Sequence, residues 1–269
     1  MRSVHIARDA VTNAVLLPGR FPSSYSAETY PKNLHWLRTI PTHSQRAYDF
    51  PFLYFQADKQ DLLVILAHGN GCDIGDYKAH IANFQACNVS VLLWEYPGYG
   101  ISPGKRTISG VNQHTSRVVE YATKELKWST EDIVIYGHSI GSGPAMEMHT
   151  KLSDGKTPSV AGIILQSPYT STSAIGQEKV GSCASVLSDG WNNIDKMRDV
   201  RCPLLLFHGE RDTLIPVAHS HALFEAAVTR TKQLVTYPGY THNELHWPDV
   251  FKRTRTFIAM IRAIRKDRF

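Results

Sequence analysis

Residues 132–148 read Asp-Ile-Val-Ile-Tyr-Gly-His-Ser-Ile-Gly-Ser-Gly-Pro-Ala-Met-Glu-Met. The first part, Asp132–Tyr136, has the composition of a buried strand, and Gly143–Leu152 continues as a helix. Between them Gly137-His138-Ser139-Ile140-Gly141 has to turn sharply. A G-x-S-x-G string acquires meaning from such a context, because a tight strand-to-helix turn lifts the serine hydroxyl above the end of a sheet. Side chains at 137 and 141 would crowd that turn, so glycine stands at both. The helix that follows aims its free N–H groups and the positive end of its dipole at the same place. An N-cap serine in a glycine-rich turn is the plainer alternative, and the flanking strand and helix tell against it. Ser139 is the candidate nucleophile.

Outward from this turn, apolar strands alternate with helical stretches. Leu62–Ala67 is a continuous apolar run ending in His68-Gly69, as expected of a strand covered on both faces. Tyr77–Ala86 and Val111–Leu126 read as helices on either side of a strand at Val89–Trp94. Further strands are expected at Val160–Leu165, Cys202–Phe207 and Gln233–Tyr237, and helices at Ala218–Val228 and Asp249–Ile264. Val250, Phe257, Ile261 and Ile264 form one apolar stripe on the last helix. This order predicts an α/β chain, its sheet mostly parallel with helices on both faces. The first fifty residues are less regular, with strands expected at Leu34–Ile40 and Phe52–Phe55. Residues 1–269 read as one domain, with a short lid over Ser167–Asn193, a segment rich in Ser and Gly.

A serine on such a turn needs a base, and the base needs a carboxylate; in chain order the carboxylate comes before the histidine. After the strand Cys202–Phe207, His208-Gly209-Glu210-Arg211-Asp212-Thr213-Leu214-Ile215-Pro216 offers Asp212, just before the apolar start of a helix. Glu210 is the alternative and suits the solvated rim. Among 13 histidines, His242 follows the strand Gln233–Tyr237 and its turn, where the chain can cross the top of the sheet. His246 is the runner-up. His208 is expected to be structural, and His138 adjoins the nucleophile too closely to serve it. The negative oxygen of a tetrahedral intermediate requires two main-chain donors, assigned to Ile140 and to Asn70 of His68-Gly69-Asn70-Gly71.

Glu95, Tyr96, Tyr99, Tyr169 and Trp191 either line a pocket or pack the lid against the sheet. The chain carries 29 Lys and Arg against 24 Asp and Glu, a net charge of +5 that is too small to argue for nucleic acid. Basic residues from Lys252 to Arg268 suit a solvated helix face, with at most weak peripheral contact with an anionic membrane. Cys72, Cys87, Cys183 and Cys202 are scattered, with no metal-ligand spacing, so neither a metal nor a cofactor is expected. Free thiols suggest a reducing compartment, and no stretch resembles a secretory signal or a membrane span. A cytoplasmic location is the expectation.

Taken together the sequence resembles the α/β-hydrolase superfamily from about Leu34 onward. Its finer texture is similar to the α/β-hydrolase-domain proteins that include protein depalmitoylases. The resemblance rests on H-G-N-G-C-D-I-G-D-Y at 68–77, W-E-Y-P-G-Y-G-I-S-P-G-K at 94–105, Y-G-H-S-I-G-S-G-P at 136–144, L-Q-S-P-Y-T-S at 165–171 and H-G-E-R-D-T-L-I-P at 208–216. It implies an α/β-hydrolase fold and a serine hydrolase cleaving an ester, thioester or amide of a small-molecule or acylated substrate. A serine peptidase of the same fold and a non-catalytic binding scaffold are the alternatives. The depalmitoylases carry a lipidated cysteine-rich N-terminal segment, whereas this chain has no cysteine before Cys72. A membrane-anchored role is therefore not expected.

Overall fold

A computed structural model describes residues 13, 16–19, 22–41, 46–153, 159–180 and 190–266. The chain opens with strands β1 (Leu34–Arg38), β2 (Asp49–Phe55) and β3 (Leu63–Ala67), then helix α1 (Lys78–Gln85), strand β4 (Ser90–Trp94) and helix α2 (Ile108–Glu120). Strand β5 (Ile133–His138) leads through a single 3-10 turn into α3 (Ser142–Leu152), and β6 (Gly162–Gln166) is followed by α4 (Thr172–Val180) and α5 (Asn193–Met197). Strand β7 (Leu204–Gly209), α6 (Ala218–Ala226), β8 (Lys232–Tyr237) and α7 (Trp247–Lys266) complete it.

The strands form one eight-stranded sheet in the order β1-β2-β4-β3-β5-β6-β7-β8. β1, β2 and β4 pair antiparallel, and every pair from β4 to β8 is parallel. β3, β4, β5, β6 and β7 are buried along their full length, which is why they read as unbroken apolar runs. Alternate residues of β3 feed opposite cores. Leu63, Ile65 and Ala67 pack with Val111, Val118, Ala145 and Met146 of α2 and α3. Val64 and Leu66 pack with Ile81 and Phe84 of α1 and with Val250, Phe257 and Ile261 of α7. The mostly parallel sheet thus has helices on both faces, the α/β arrangement expected.

Local chemistry moves some boundaries. α2 starts at Ile108, three residues earlier than expected, because Thr107 Oγ1 accepts from Gly110 N at 3.0 Å and caps it. The expected helix from Tyr77 begins instead with a 3-10 turn at Ile74–Tyr77, capped by Asp73 Oδ1, which accepts from Gly75 N at 3.0 Å. Of the lid expected over Ser167–Asn193, residues 181–189 lie outside the described residues, as does Cys183. The described part holds α4 and the buried Trp191.

Parallel pairing fixes where the loops gather. In β3 and β5 Ala67 lies opposite Gly137, so the loops after both strands leave the sheet at the same edge. Ligand sites of open parallel sheets lie at that carboxyl edge.

One buried histidine on α2 links the fold to pH. His114 Nδ1 donates to the Glu95 carbonyl at 2.9 Å, Nε2 accepts from the Tyr48 hydroxyl at 2.9 Å, and the ring stacks on Phe50 at 3.8 Å. Burial pushes its pKa down to about 4, against a smaller lift from the Glu95 carbonyl. The unfolded chain takes up this proton near pH 6.5 and the folded chain only near pH 4, so stability is full above 6.5 and falls as pH drops through that window. By pH 5 the loss from this group is about 2 kcal/mol. Urea midpoints should therefore fall between pH 7 and pH 5, and His114→Phe should flatten that fall. Equal slopes in both proteins would contradict the assignment.

Candidate active site

Ser139 sits at the tip of the turn between β5 and α3 with a φ of 54°. That left-handed conformation is strained for a residue with a side chain and persists only where the surroundings impose it. Here they do. A Cβ at Gly137 would lie 2.7 Å from Ala145 Cβ and 2.8 Å from the Gly141 carbonyl oxygen. A Cβ at Gly141 would strike the Ala67 carbonyl and lie 2.6 Å from that of His68. The turn is thus pressed, backbone to backbone, against the end of β3.

His242 reaches Ser139 from the far side of the sheet. Its Nε2 is 2.8 Å from Ser139 Oγ, and its Nδ1 is 2.6 Å from Asp212 Oδ2. A carboxylate can only accept, so Nδ1 carries the proton and the bare Nε2 accepts from the serine hydroxyl. The loop that carries His242 passes over the end of β7 so closely that a Cβ at Gly209 would lie 2.5 Å from the Tyr240 carbonyl. Ser139, Asp212 and His242 are 5%, 6% and 7% exposed, which shields their contacts, and of the three Ser139 lines a pocket.

Asp212 is held by four donors. Oδ1 accepts from the N–H groups of Leu214 at 2.9 Å and Ile215 at 2.8 Å, and Oδ2 faces His242 and, at 3.1 Å, His208 Nε2. Burial by itself pushes this carboxyl up. The hydrogen bonds from His208 and His242, with the Ile215 amide, outweigh it and hold the group well below the usual carboxylate range. Asp212 is accordingly ionised at neutral pH.

The other candidates lie elsewhere. Glu210 is exposed and accepts from Thr236 Oγ1 at 2.7 Å. His246 is exposed and its Nδ1 accepts from Asp249 N at 3.2 Å in the first turn of α7. His208 is fully buried, bonded to Ser220 Oγ at 2.6 Å and the Ile215 carbonyl at 2.8 Å, so it orients Asp212 as well as packing. His138 Nδ1 accepts from the Tyr77 hydroxyl at 2.6 Å, and burial keeps its pKa far below the usual value, so it stays neutral beside His242.

Asn70 and Ile140, the expected main-chain donors, line one small pocket with Ser139. Its other described walls are Leu16, Ile175, Leu214 and Ile215, and its volume is about 40 Å³. Asn70 is fixed through its side chain: Oδ1 accepts from the Tyr99 hydroxyl at 2.7 Å, and Nδ2 donates to the Leu16 carbonyl at 2.9 Å. The Tyr77 hydroxyl accepts from Gly69 N at 2.7 Å while donating to His138, tying the β3 loop to the serine turn. Composition gave no sign of this tyrosine's part, and only its place in the motif after His68 hinted at it. Glu95, Tyr96, Tyr99, Tyr169 and Trp191 are all fully buried, the four aromatics in the main core, and none lines this pocket. Tyr96 donates to the His68 carbonyl at 2.8 Å, and Glu95 Oε1 lies 2.9 Å from His68 Nε2. Among the described residues no cluster of three or more His, Cys, Asp or Glu could hold a metal ion.

The fold and this site define an α/β hydrolase. The family described as "Serine aminopeptidase, S33" matches residues 58–195 and 175–249, and the chain belongs to it. An alpha/beta hydrolase of Acanthamoeba polyphaga mimivirus is 23% identical over 88% of this chain and 88% of its own length. The human alpha/beta hydrolase domain-containing protein 17B is 28% identical over 73% of this chain and 66% of its own length. The esterase Pf2001 of Pyrococcus furiosus superposes with a TM-score of 0.68 at 17% identity, over 91% of this chain and 98% of that one. These relatives agree with the resemblance drawn from the motifs.

The packing at Gly141 makes one firm prediction. Gly141→Ala should cost about 2 kcal/mol or more in unfolding free energy, because the obstacle is main chain and cannot swing aside. Urea denaturation of the purified variant measures it. A loss below about 0.5 kcal/mol would show that the turn is not pressed on β3 as described.

Proposed function

We propose that this hydrolase cleaves an ester, thioester or amide through an acyl-enzyme on Ser139. The observation that carries the reading is the unbroken series Ser139 Oγ, His242 Nε2, His242 Nδ1 and Asp212 Oδ2, with links of 2.8 and 2.6 Å. As Ser139 Oγ attacks the substrate carbonyl carbon, His242 Nε2 takes the hydroxyl proton. The ionised Asp212 fixes the tautomer and stabilises the imidazolium. The N–H groups of Ile140 and Asn70 receive the charge on the carbonyl oxygen. When the tetrahedral species collapses, the bond to the alcohol, thiol or amine breaks, and His242 returns its proton to that group. Water then attacks the acyl-serine, giving its proton to His242, which passes it to Ser139 Oγ as the acid leaves.

The family's name favours a second reading, cleavage of a peptide with a free amino terminus. Such a substrate brings an ammonium group that needs an acidic partner near the serine. The described walls of the pocket are Leu16, Asn70, Ile140, Ile175, Leu214 and Ile215, all uncharged, which supports an acyl group instead. Ile175 belongs to α4, so the short lid over 167–193 forms part of the proposal. No helix among the described residues is long and apolar enough to cross a membrane. Cys87 and Cys202 are free thiols, in keeping with action in the cytoplasm. Four of the basic residues on α7 are engaged within the chain: Arg253 with Asp249, Arg255 with Asn83, Arg262 with Asp61 and Arg265 with Asp132. Any contact with an anionic membrane is correspondingly weak in this reading.

A fluorophosphonate probe should label the intact protein covalently, and Ser139→Ala should abolish the labelling while leaving the fold unchanged. An unlabelled, folded protein would favour a binding scaffold. Asp212→Asn should lower kcat about 10³–10⁴-fold, since an amide can donate to Nδ1 and leave the wrong nitrogen facing Ser139. Steady-state ester hydrolysis checks this, and a loss under tenfold would remove Asp212 from the relay.

A further inference from the structure

The N-terminal segment contributes a wall to the site. Leu16 and Leu17 are 3% and 1% exposed and belong to the main core, although they precede the first strand. The two neighbouring residues face different spaces. Leu16 lines the pocket of about 40 Å³ at Ser139, while Leu17 and Pro18 line a cleft of about 670 Å³ with Gly104, Lys105, Arg106 and Thr107. Two hydrogen bonds tie the segment to the rest of the chain. Asn13 Oδ1 accepts from Ile108 N at 3.0 Å, and the Leu16 carbonyl accepts from Asn70 Nδ2 at 2.9 Å.

We infer that Leu16 closes the acyl pocket and restricts the enzyme to short acyl groups. The inference rests on the reading of Ser139 as an acylated nucleophile and adds a substrate class to it. A water-sized occupant takes roughly 10–15 Å³ on this measure, so the pocket holds about three such groups, an acyl chain of about two to four carbons. Ile175, Leu214 and Ile215 complete an apolar lining that suits a hydrocarbon chain. Truncating Leu16 enlarges this lining by the volume of its side chain, and that is the room a longer acyl chain would gain.

The test compares p-nitrophenyl acetate, butyrate and octanoate on the full chain and on Leu16→Ala, Leu16→Val and Leu16→Phe. The ratio of kcat/KM values between two esters within one variant does not depend on how much of that variant is folded. The wild-type ratio of octanoate to butyrate should be about one-tenth or less. Leu16→Ala should raise octanoate relative to acetate about tenfold, the worth of about two newly buried methylenes. Leu16→Val should shift the ratio the same way by less, and Leu16→Phe should lower butyrate relative to acetate. Wild-type preference for octanoate, or parallel profiles across the variants, would overturn the role of Leu16 while leaving Ser139 as nucleophile. Turnover that survives in Ser139→Ala, or no turnover of any ester, would instead overturn the acyl-enzyme reading and this inference with it.

Discussion

A single imidazole, that of His242, is held with its proton toward a buried carboxylate and its bare nitrogen toward a serine hydroxyl. Neither contact survives rotation or a change of tautomer, so much of the fold serves to prevent both. Asp212 would lose its charge in an apolar interior, and the donors from Leu214, Ile215 and His208 keep it ionised. His208 is in turn fixed by Ser220 and the Ile215 carbonyl. The loop after β8 has to cross two strands to reach the serine, and Gly209 lets it pass close over the end of β7.

On the other side the constraint is steric. Ser139 adopts a positive φ because the turn is wedged between α3 and the end of β3, where only hydrogen fits at Gly137 and Gly141. The same pressure brings Ile140 and Asn70 to one pocket. Tyr77 bridges the two loops through Gly69 and His138, and Tyr99 and the Leu16 carbonyl hold the Asn70 side chain. In the proposed reaction these two residues are thus positioned before any substrate arrives, the condition under which main-chain donors lower a barrier.

The sheet was legible in the sequence because β3, β4 and β5 are covered on both faces and contain almost no polar residue. Ser139 was legible because its strained turn demands glycines at fixed positions beside a strand and a helix. Asp212 and His242 followed from chain order and strand ends, and the structure brings both to Ser139. What was not legible depends on distant pairs. Tyr77 reads as the first residue of a helix, and beyond its place in the motif after His68 nothing announces a bond to a histidine 61 positions away. The buried aromatics near Glu95 fit either a pocket or a core by composition; the structure places them in the core. Leu16 lies in the least regular part of the chain, where no period marks it as buried. Its place at the site follows from a carbonyl, which every residue has.

The acyl-serine itself is the most direct object of measurement. Turnover of p-nitrophenyl acetate should be stopped with acid during the steady state, and the digested protein examined by peptide mass spectrometry. Acetyl on the peptide containing Ser139, with fragment ions placing it on that residue, is the result this account predicts. Continued turnover with that peptide unmodified, or with acetyl on another side chain, would contradict it.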